Sequence, residues 1–309
     1  AVKQGQVQFN ALARGHYPGR RLSRATMPGL KSAGYWDAGG TQNWGLDWHR
    51  NEGVELTFLQ TGSLPFAVDE HPWPLKAGDL SITRPWQSHR VGSPHVTAGR
   101  LYWVIVDVGV RRPNQTWRWP SWFILSKNDL ERLTSLLRHN EQPVWPATPE
   151  IKRCFQQIGR VLQGEQSLGV ESRLAVYINE LFLALAEMLN ARRIPLNPNL
   201  SSARRTVELF LNDLERNPDN LLIPWTVSMM AEHCGLGVTA FTHHCRHVAN
   251  LTPMQALTKC RVERATQLLV QRPDASVTES ALDCGFQSGQ YFATVFRNRY
   301  GCSPRTYRN

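Results

Sequence analysis

Apolar and polar positions follow two different rhythms along this chain, and the change of rhythm divides it. Between residues 54 and 108 the apolar residues come in short β-branched and aromatic runs: VELTFLQ at 54–60, DLSITR at 79–84 and LYWVIVDV at 101–108. Gly62, Pro65, Gly78, Pro85 and Gly92 separate them, so each run reads as a short strand bounded by turns. Several such strands in series predict a barrel or sandwich. From about Lys127 the rhythm becomes helical. Residues 127–140, 150–163 and 171–193 predict three helices. The third carries Leu174, Tyr177, Ile178, Leu181, Phe182, Leu185, Met188 and Leu189. They form one apolar stripe, too long for short neighbours to cover, so the same helix of a second chain is the expected partner. The stretch IPLNPNLSS at 194–202 breaks the pattern with two prolines and reads as an interdomain linker.

Beyond the linker nearly everything reads as helix. Residues 203–216 are amphipathic. Thr226 is placed to cap a helix ending at Cys234, with Gly235 just after it. Ser276-Val-Thr-Glu279 has the form of a capping box. The dominant feature is a repeat: AEHCGLGVTAFTHHCRHVANLTP at 231–253 and ALDCGFQSGQYFATVFRNRYGCSP at 281–304. Both open with Ala-x-x-Cys-Gly, carry Phe at matched places (Phe241 and Phe292), and close with a hydroxyl residue before proline. Proline there suits the first position of a following helix. A small helix, a glycine turn and a second helix, occurring twice, predict two helix-turn-helix units, the arrangement that places a helix in a DNA major groove. Residues 254–271 predict one long connecting helix of about 27 Å, able to hold two recognition helices about one DNA turn, roughly 34 Å, apart.

Composition changes this picture little. At 309 residues, 41% hydrophobic and 19% charged, the chain has room for two globular domains. No apolar run approaches about 18 residues; the richest, 181–189, contains Glu187, so no membrane partner is expected. The first thirty residues lack the apolar segment of a secretory signal, and a cytoplasmic location is expected. The net charge of +10 and pI near 9.6 fit a polyanionic partner. Residues 203–309, however, carry 12 basic against 9 acidic residues, so bulk charge adds little to the DNA reading. The six cysteines include no Cys-x-x-Cys pair and are expected to be buried thiols.

The pair of units, the connecting RVERATQLL at 261–269 and the closing ALDCGFQSGQYFATVFRNRYGCSPRTYR at 281–308 resemble the DNA-binding domain of the AraC/XylS family of bacterial transcription regulators. Residues 54–108 are similar to the cupin-type barrel that many members use as an effector sensor. KAGDL at 76–80 and RPWQSH at 84–89 match the turn before, and the end of, a barrel strand. The resemblance implies an α+β multidomain chain. Its parts would be a cupin-like sensor barrel over 1–126, a helical dimerisation segment over 127–193, the linker 194–202, and an all-α domain over 203–309 with two helix-turn-helix units joined by a long helix. It also implies a regulator rather than an enzyme: a homodimer on double-stranded DNA, controlled by a small-molecule effector, and contacting RNA polymerase if it activates.

Carried over position by position, the resemblance starts the first recognition helix near Val238, with Thr239, Thr242 and His243 facing bases. Gly289, Gln290, Ala293 and Thr294 fall at the corresponding places of the second. Glutamine can bond adenine through two hydrogen bonds, and alanine or threonine methyls can meet a thymine methyl. Arg246 and Arg297 are equivalent and suit phosphates, which position without specifying. His243 and His247 are four apart with Cys245 between them, but no further ligands follow at a familiar spacing, and no metal is expected there.

In the sensor, His49, Glu55 and His89 are the candidates for a polar site. Metal cupins use two His, a Glu and a later His. Here Asp47 fills the first His position and the gap from His49 to Glu55 is long. Neither a metal nor a cofactor is therefore expected, and the three are taken as effector-binding or barrel-lining residues. Nine of eleven tryptophans lie in the first 122 residues. Trp36, Trp48, Trp86 and Trp103 are the candidates to stack on an effector, with Trp44 and Trp73 nearby; tryptophan equally fills cores. The cluster favours a sugar or another small polyhydroxy effector. Two other readings stay open: a metal-dependent cupin isomerase or dioxygenase fused to a DNA-binding domain, and a constitutive DNA-binding protein with a purely structural barrel.

Overall fold

The computed structural model describes residues 7–23, 26–164 and 169–308. They form two compact units, 1–200 and 201–309. The strands are β1 (Val7–Ala13), β2 (Arg20–Arg21), β3 (Leu30–Ala38), β4 (Leu46–His49), β5 (Val54–Leu64), β6 (Phe66–Val68), β7 (His71–Pro72), β8 (Leu75–Lys76), β9 (Asp79–Thr83), β10 (His89–Val91), β11 (Gly99–Val106) and β12 (Val144–Pro146). One sheet runs β12-β9-β5-β11-β3-β1-β2, with β8 also paired to β5; the second runs β4-β10-β6-β7. Strands β1 and β3, absent from the expectation, pair over their whole lengths from Val7 opposite Ala38 to Ala13 opposite Ser32.

Alternation along the strands decides what each side chain does. On β5, Glu55, Thr57 and Leu59 point inward, while Leu56 and Phe58 point out. On β11, Leu101, Trp103 and Ile105 point inward and Tyr102 points out. Helix α1 (Lys127–His139) precedes β12, and α2 (Pro149–Gln163) and α3 (Val170–Ala191) follow it. The outward side chains of the sheet meet α2: Phe58 stacks on Phe155 with centroids 5.6 Å apart. Gly159 lets that helix approach, because a Cβ there would lie 2.5 Å from the Tyr102 ring.

Helix α3 corrects one expectation. By length and composition alone it could pass for a membrane span. Its stripe residues Leu174, Ile178, Leu181, Phe182, Leu185, Met188 and Leu189 are nevertheless buried within their own chain, each at most 5% exposed. The partners are α2 and α1, with Phe182 edge-on to Trp119 and Phe123. The stripe is core, and the apolar residues left outside are Val176 and Leu183, 58% and 42% exposed. The linker is also less free than its prolines suggest. Leu196 makes an antiparallel bridge with Asn140, and Asn197 donates its N–H to His139 O at 2.8 Å. Residues Pro198–Ser201 coil into a 3-10 turn.

The second unit holds α4 (Ala203–Arg216), α5 (Pro218–Leu222), α6 (Val227–His233), α7 (Val238–Ala249), α8 (Pro253–Gln271), α9 (Val277–Leu282), α10 (Gly289–Tyr300) and α11 (Pro304–Arg308). Thr226 caps α6, accepting from Met229 N at 3.1 Å, and Ser276 and Glu279 close a capping box on α9. Gly235 and Gly285 take the left-handed turn after α6 and α9, at φ 63° and 82°, where a side chain would be strained. Each helix pair has its own core. Phe241 and Cys245 sit among Val207, Phe210 and Leu257; Phe292 and Phe296 sit among Val262, Leu269 and Cys284. Five of the six cysteines are buried and Cys302 is partly so. Between the two cores stands Arg261 of α8. Its guanidinium donates to Leu221 O at 3.0 and 2.8 Å and to Ile223 O at 2.9 Å.

Candidate functional site

Helices α7 and α10 each turn one face to their core and the other outward. Phe241 and Cys245 point in, leaving Thr239, His243 and Arg246 exposed and Thr242 half-buried. On α10, Phe292 and Phe296 point in, leaving Gln290, Thr294 and Arg297 exposed and Ala293 half-buried. The residues expected to read and hold DNA thus share the open faces of both helices. Two details refine their roles. Thr294 donates its hydroxyl hydrogen to Gln290 O at 3.1 Å, so its methyl and the accepting side of its oxygen are what remain for a base. Gly289 has a packing reason to be glycine: a Cβ would lie 2.7 Å from Thr278 Oγ1 of the preceding helix. The His243 and His247 rings lie tilted against each other with centroids 4.4 Å apart, both exposed.

The second candidate site is a cavity of about 360 Å³ inside the barrel. Trp36, Trp44, Trp103, Phe9 and Leu101 make an apolar wall; His49, Asn51, Glu55 and Thr57 make a polar end. Alternation explains two corrections. His49 lines the cavity from β4, so its neighbour Trp48 faces out, 39% exposed beneath the Arg90 guanidinium. Trp86 is buried elsewhere, edge-on to Trp117 at 6.2 Å. Neither lines the cavity. Trp44, Phe9, His16, Tyr17 and Ser32 do, and all but Trp44 come from β1, β3 or the loop between them.

His49, Glu55 and His89, distant in sequence, converge at the polar end. One ligand atom from each lies within 4.8 Å of the other two; the long gap between His49 and Glu55 does not keep them apart. His89 is fully buried behind Glu55, its Nε2 2.9 Å from Oε2. The other Glu55 oxygen accepts from Thr57 Oγ1 at 3.2 Å. Asn51 donates to Oε2 as well, and its own carbonyl accepts from Tyr17 OH at 3.2 Å. Burial alone would push the Glu55 carboxyl up, but the hydrogen bond and charge of His89 outweigh it and hold it below the usual range. Burial pulls His89 down, and the Glu55 carboxylate more than reverses this. His49 is lowered, by burial first and then by the charge of His89.

Comparison with known proteins supplies the context for both sites. Residues 230–309 match a family model described as a helix-turn-helix domain, and residues 38–105 match a cupin domain. The virulence regulon transcriptional activator VirF of Yersinia enterocolitica is 26% identical over 267 residues, spanning 82% of this chain and 96% of VirF. The chain belongs to the AraC/XylS family. Another relative is the HTH-type transcriptional activator RhaS of Escherichia coli strain SE11, 30% identical over 164 residues, 53% of this chain and 56% of RhaS. Among solved structures, a DNA-binding transcriptional dual regulator from Escherichia coli K-12 is 31% identical over 35% of this chain and 95% of its own, with a TM-score of 0.29. As an AraC/XylS-family member, the chain is a DNA-binding transcriptional regulator with a cupin ligand-binding domain.

Proposed function

We propose that this regulator is controlled by a sugar or similar polyhydroxy effector held in the barrel cavity, and that it acts as a transcriptional activator in the bacterial cytoplasm. The observation that carries the effector reading is the make-up of the cavity: Trp36, Trp44 and Trp103 line it together with Glu55, His49 and Asn51. Indole faces pack on the C–H faces of a sugar ring, and a carboxylate with an amide beside it bonds hydroxyls. The activator reading draws on VirF and RhaS, both named as activators, and gives RNA polymerase as a protein partner. Residues 1–126 serve as the sensor, 127–193 as the dimerisation segment, 194–202 as the connection and 203–309 as the DNA-binding domain. The dimer contact is reassigned to the outer face of α3, where Val176 and Leu183 stand exposed.

A thermal-shift screen of sugars and sugar acids tests the effector reading. A ligand that binds only the folded sensor raises its melting temperature as concentration exceeds Kd, and Trp103→Ala is expected to abolish the shift. A cavity that answers to no polyhydroxy compound, but does to a wholly apolar one, overturns the class.

DNA reading is tested at Gln290. Gln290→Ala is expected to cost about 1–3 kcal/mol on the cognate operator and to relax specificity at one base pair. Arg297→Ala is expected to weaken binding about equally on every sequence and to reduce its salt dependence. Unchanged operator binding by Gln290→Ala would remove that side chain from the interface. The convergence of His49, Glu55 and His89 also favours a second reading, a metal-dependent cupin isomerase or dioxygenase fused to the DNA-binding domain. That reading requires turnover of a compound that binds the cavity, measured as product formed.

A further inference from the structure

We propose that His243 and His247 form a proton-dependent clamp on the DNA backbone, so that the first helix-turn-helix unit grips harder as pH falls while the second does not respond. The internal repeat supplies the comparison. Phe241 aligns with Phe292 and Arg246 with Arg297. At that alignment His243, His244 and His247 of α7 stand where α10 has Thr294, Val295 and Asn298. Burial agrees position by position. His243 and Thr294 are exposed, His244 and Val295 are half-buried, and His247 and Asn298 are exposed. The same part of the helix surface therefore carries three imidazoles in one unit. At the matched places of the other it carries no group that titrates near neutral pH.

Geometry makes the three imidazoles one electrostatic group. The His243 ring centroid lies 4.4 Å from that of His247 and 5.4 Å from that of His244, and the exposed Arg246 is on the same helix. Helices α4, α6 and α8 pack against α7. From α4 come Arg204 and Arg205, both paired with Glu208, and Glu215, paired with Lys259 of α8. From α6 come Glu232 and His233, whose ring lies against Phe210 and Trp225. Burial first, and then the charges of His243, His247 and Arg204, hold the His244 imidazole below its usual range. Positive charge thus meets positive charge on the free face. A phosphate reverses the balance: an opposite charge within about 4–6 Å favours the protonated ring, which then donates from both nitrogens. His247 also lies in the last turn of α7, where the helix dipole favours a cation. DNA binding then takes up protons, so affinity rises as pH falls. The gain fades as pH rises through the range in which the DNA-bound rings lose their protons. His243 is thereby moved from base reading to phosphate holding, and His247 joins it. The clamp rests on α7 facing DNA, as assigned above; it is independent of the effector.

The test measures binding of the full-length protein to a fluorescent DNA duplex of arbitrary sequence, by anisotropy at constant ionic strength, from about pH 8 to about pH 6. Phosphate contacts need no cognate site. The Kd is expected to fall by about tenfold or more over that range, and the salt dependence to steepen by about one to two phosphate contacts. Calorimetry in two buffers of different ionisation enthalpy is expected to count the same protons taken up. In the His243→Gln, His247→Gln variant, with native circular dichroism, both the pH slope and the proton uptake should disappear, leaving the affinity that the unsubstituted protein has at the alkaline end. Arg246→Ala is expected to weaken binding at every pH and to keep the slope. A Kd that does not change with pH, or a slope that survives in the double-histidine variant, overturns the clamp. If Arg246→Ala still weakens binding in that case, the placement of α7 on DNA stands and only the clamp fails. If neither variant changes binding at any pH, the placement of α7 fails with it.

Discussion

Replacing Leu181 and Leu185 together with glutamate is expected to unfold the N-terminal unit rather than to release a folded monomer. Both side chains are fully buried in the chain's own core. Each substitution removes a packed leucine and puts an ionisable group where no partner awaits it. An unpaired buried charge alone costs several kcal/mol, and the lost packing adds about 2–5 kcal/mol. Two such changes exceed or match the whole stability of a typical domain, about 5–15 kcal/mol. Calorimetry on the full chain is expected to show one unfolding transition missing while the DNA-binding unit still melts. The contrasting pair, Val176→Glu with Leu183→Glu, touches only exposed positions on the same helix. It is expected to keep both transitions and, on the proposed dimer, to lower the sedimentation coefficient to that of a monomer. A folded, soluble Leu181, Leu185 double variant would mean that α3 is not packed as described. An unchanged sedimentation coefficient in the second pair would put the dimer contact elsewhere.

Gly285→Ala is the second large effect. The residue sits at φ 82°, and a Cβ would lie 2.1 Å from Leu221 O and 2.9 Å from Arg261 Nε. Backbone strain accounts for about 1–2 kcal/mol. The clash must then push apart the carbonyl that Arg261 holds, for a total of about 3 kcal/mol or more. Gly301 isolates the two causes, because it has nearly the same φ, 74°, with nothing within 4 Å of its Cβ position. Gly301→Ala is expected to cost only the backbone part. Urea unfolding followed by circular dichroism gives both values, and equal costs would show that the contact with Leu221 does not constrain position 285.

The helical half was the more legible in sequence because its signals are local. Capping residues, prolines and turn glycines mark the ends of α6, α8 and α9 within a residue or so, and the repeat marks which helices correspond. The barrel was legible only where runs of β-branched and aromatic residues are set off by Gly or Pro. β3 contains Ser32 and Gly34, small because Trp103 lies over them: its indole nitrogen donates to Ser32 Oγ at 2.8 Å, and a Cβ at Gly34 would lie 2.4 Å from its ring. Small residues under a tryptophan look like loop when the tryptophan is seventy positions away. Ser32 of the cavity wall went unread with that strand, as did Phe9, His16, Tyr17 and Pro18 from β1 and the residues after it. The stripe on α3 failed for another reason. An apolar helix face has the same period whether its partner is a neighbouring helix or a second molecule. The convergence of His49, Glu55 and His89 depends on pairing between β4 and β10, where His49 stands opposite His89, and register is a long-range property that spacing alone does not carry.

Arg261 ties the connecting helix to the backbone at Leu221 and Ile223, and the turn at Gly285 closes on the same carbonyl. The two helix-turn-helix units are therefore joined without a hinge, and the chain acts as a ruler. Each added base pair between the two stretches of operator they contact would turn one stretch by about 35° and shift it by about 3.4 Å relative to the other. Units on a flexible tether would follow such a change; a fixed pair must bend the DNA or give up one of its grips. Operators of this protein should then tolerate base changes between the two contacted stretches far better than a single insertion or deletion there.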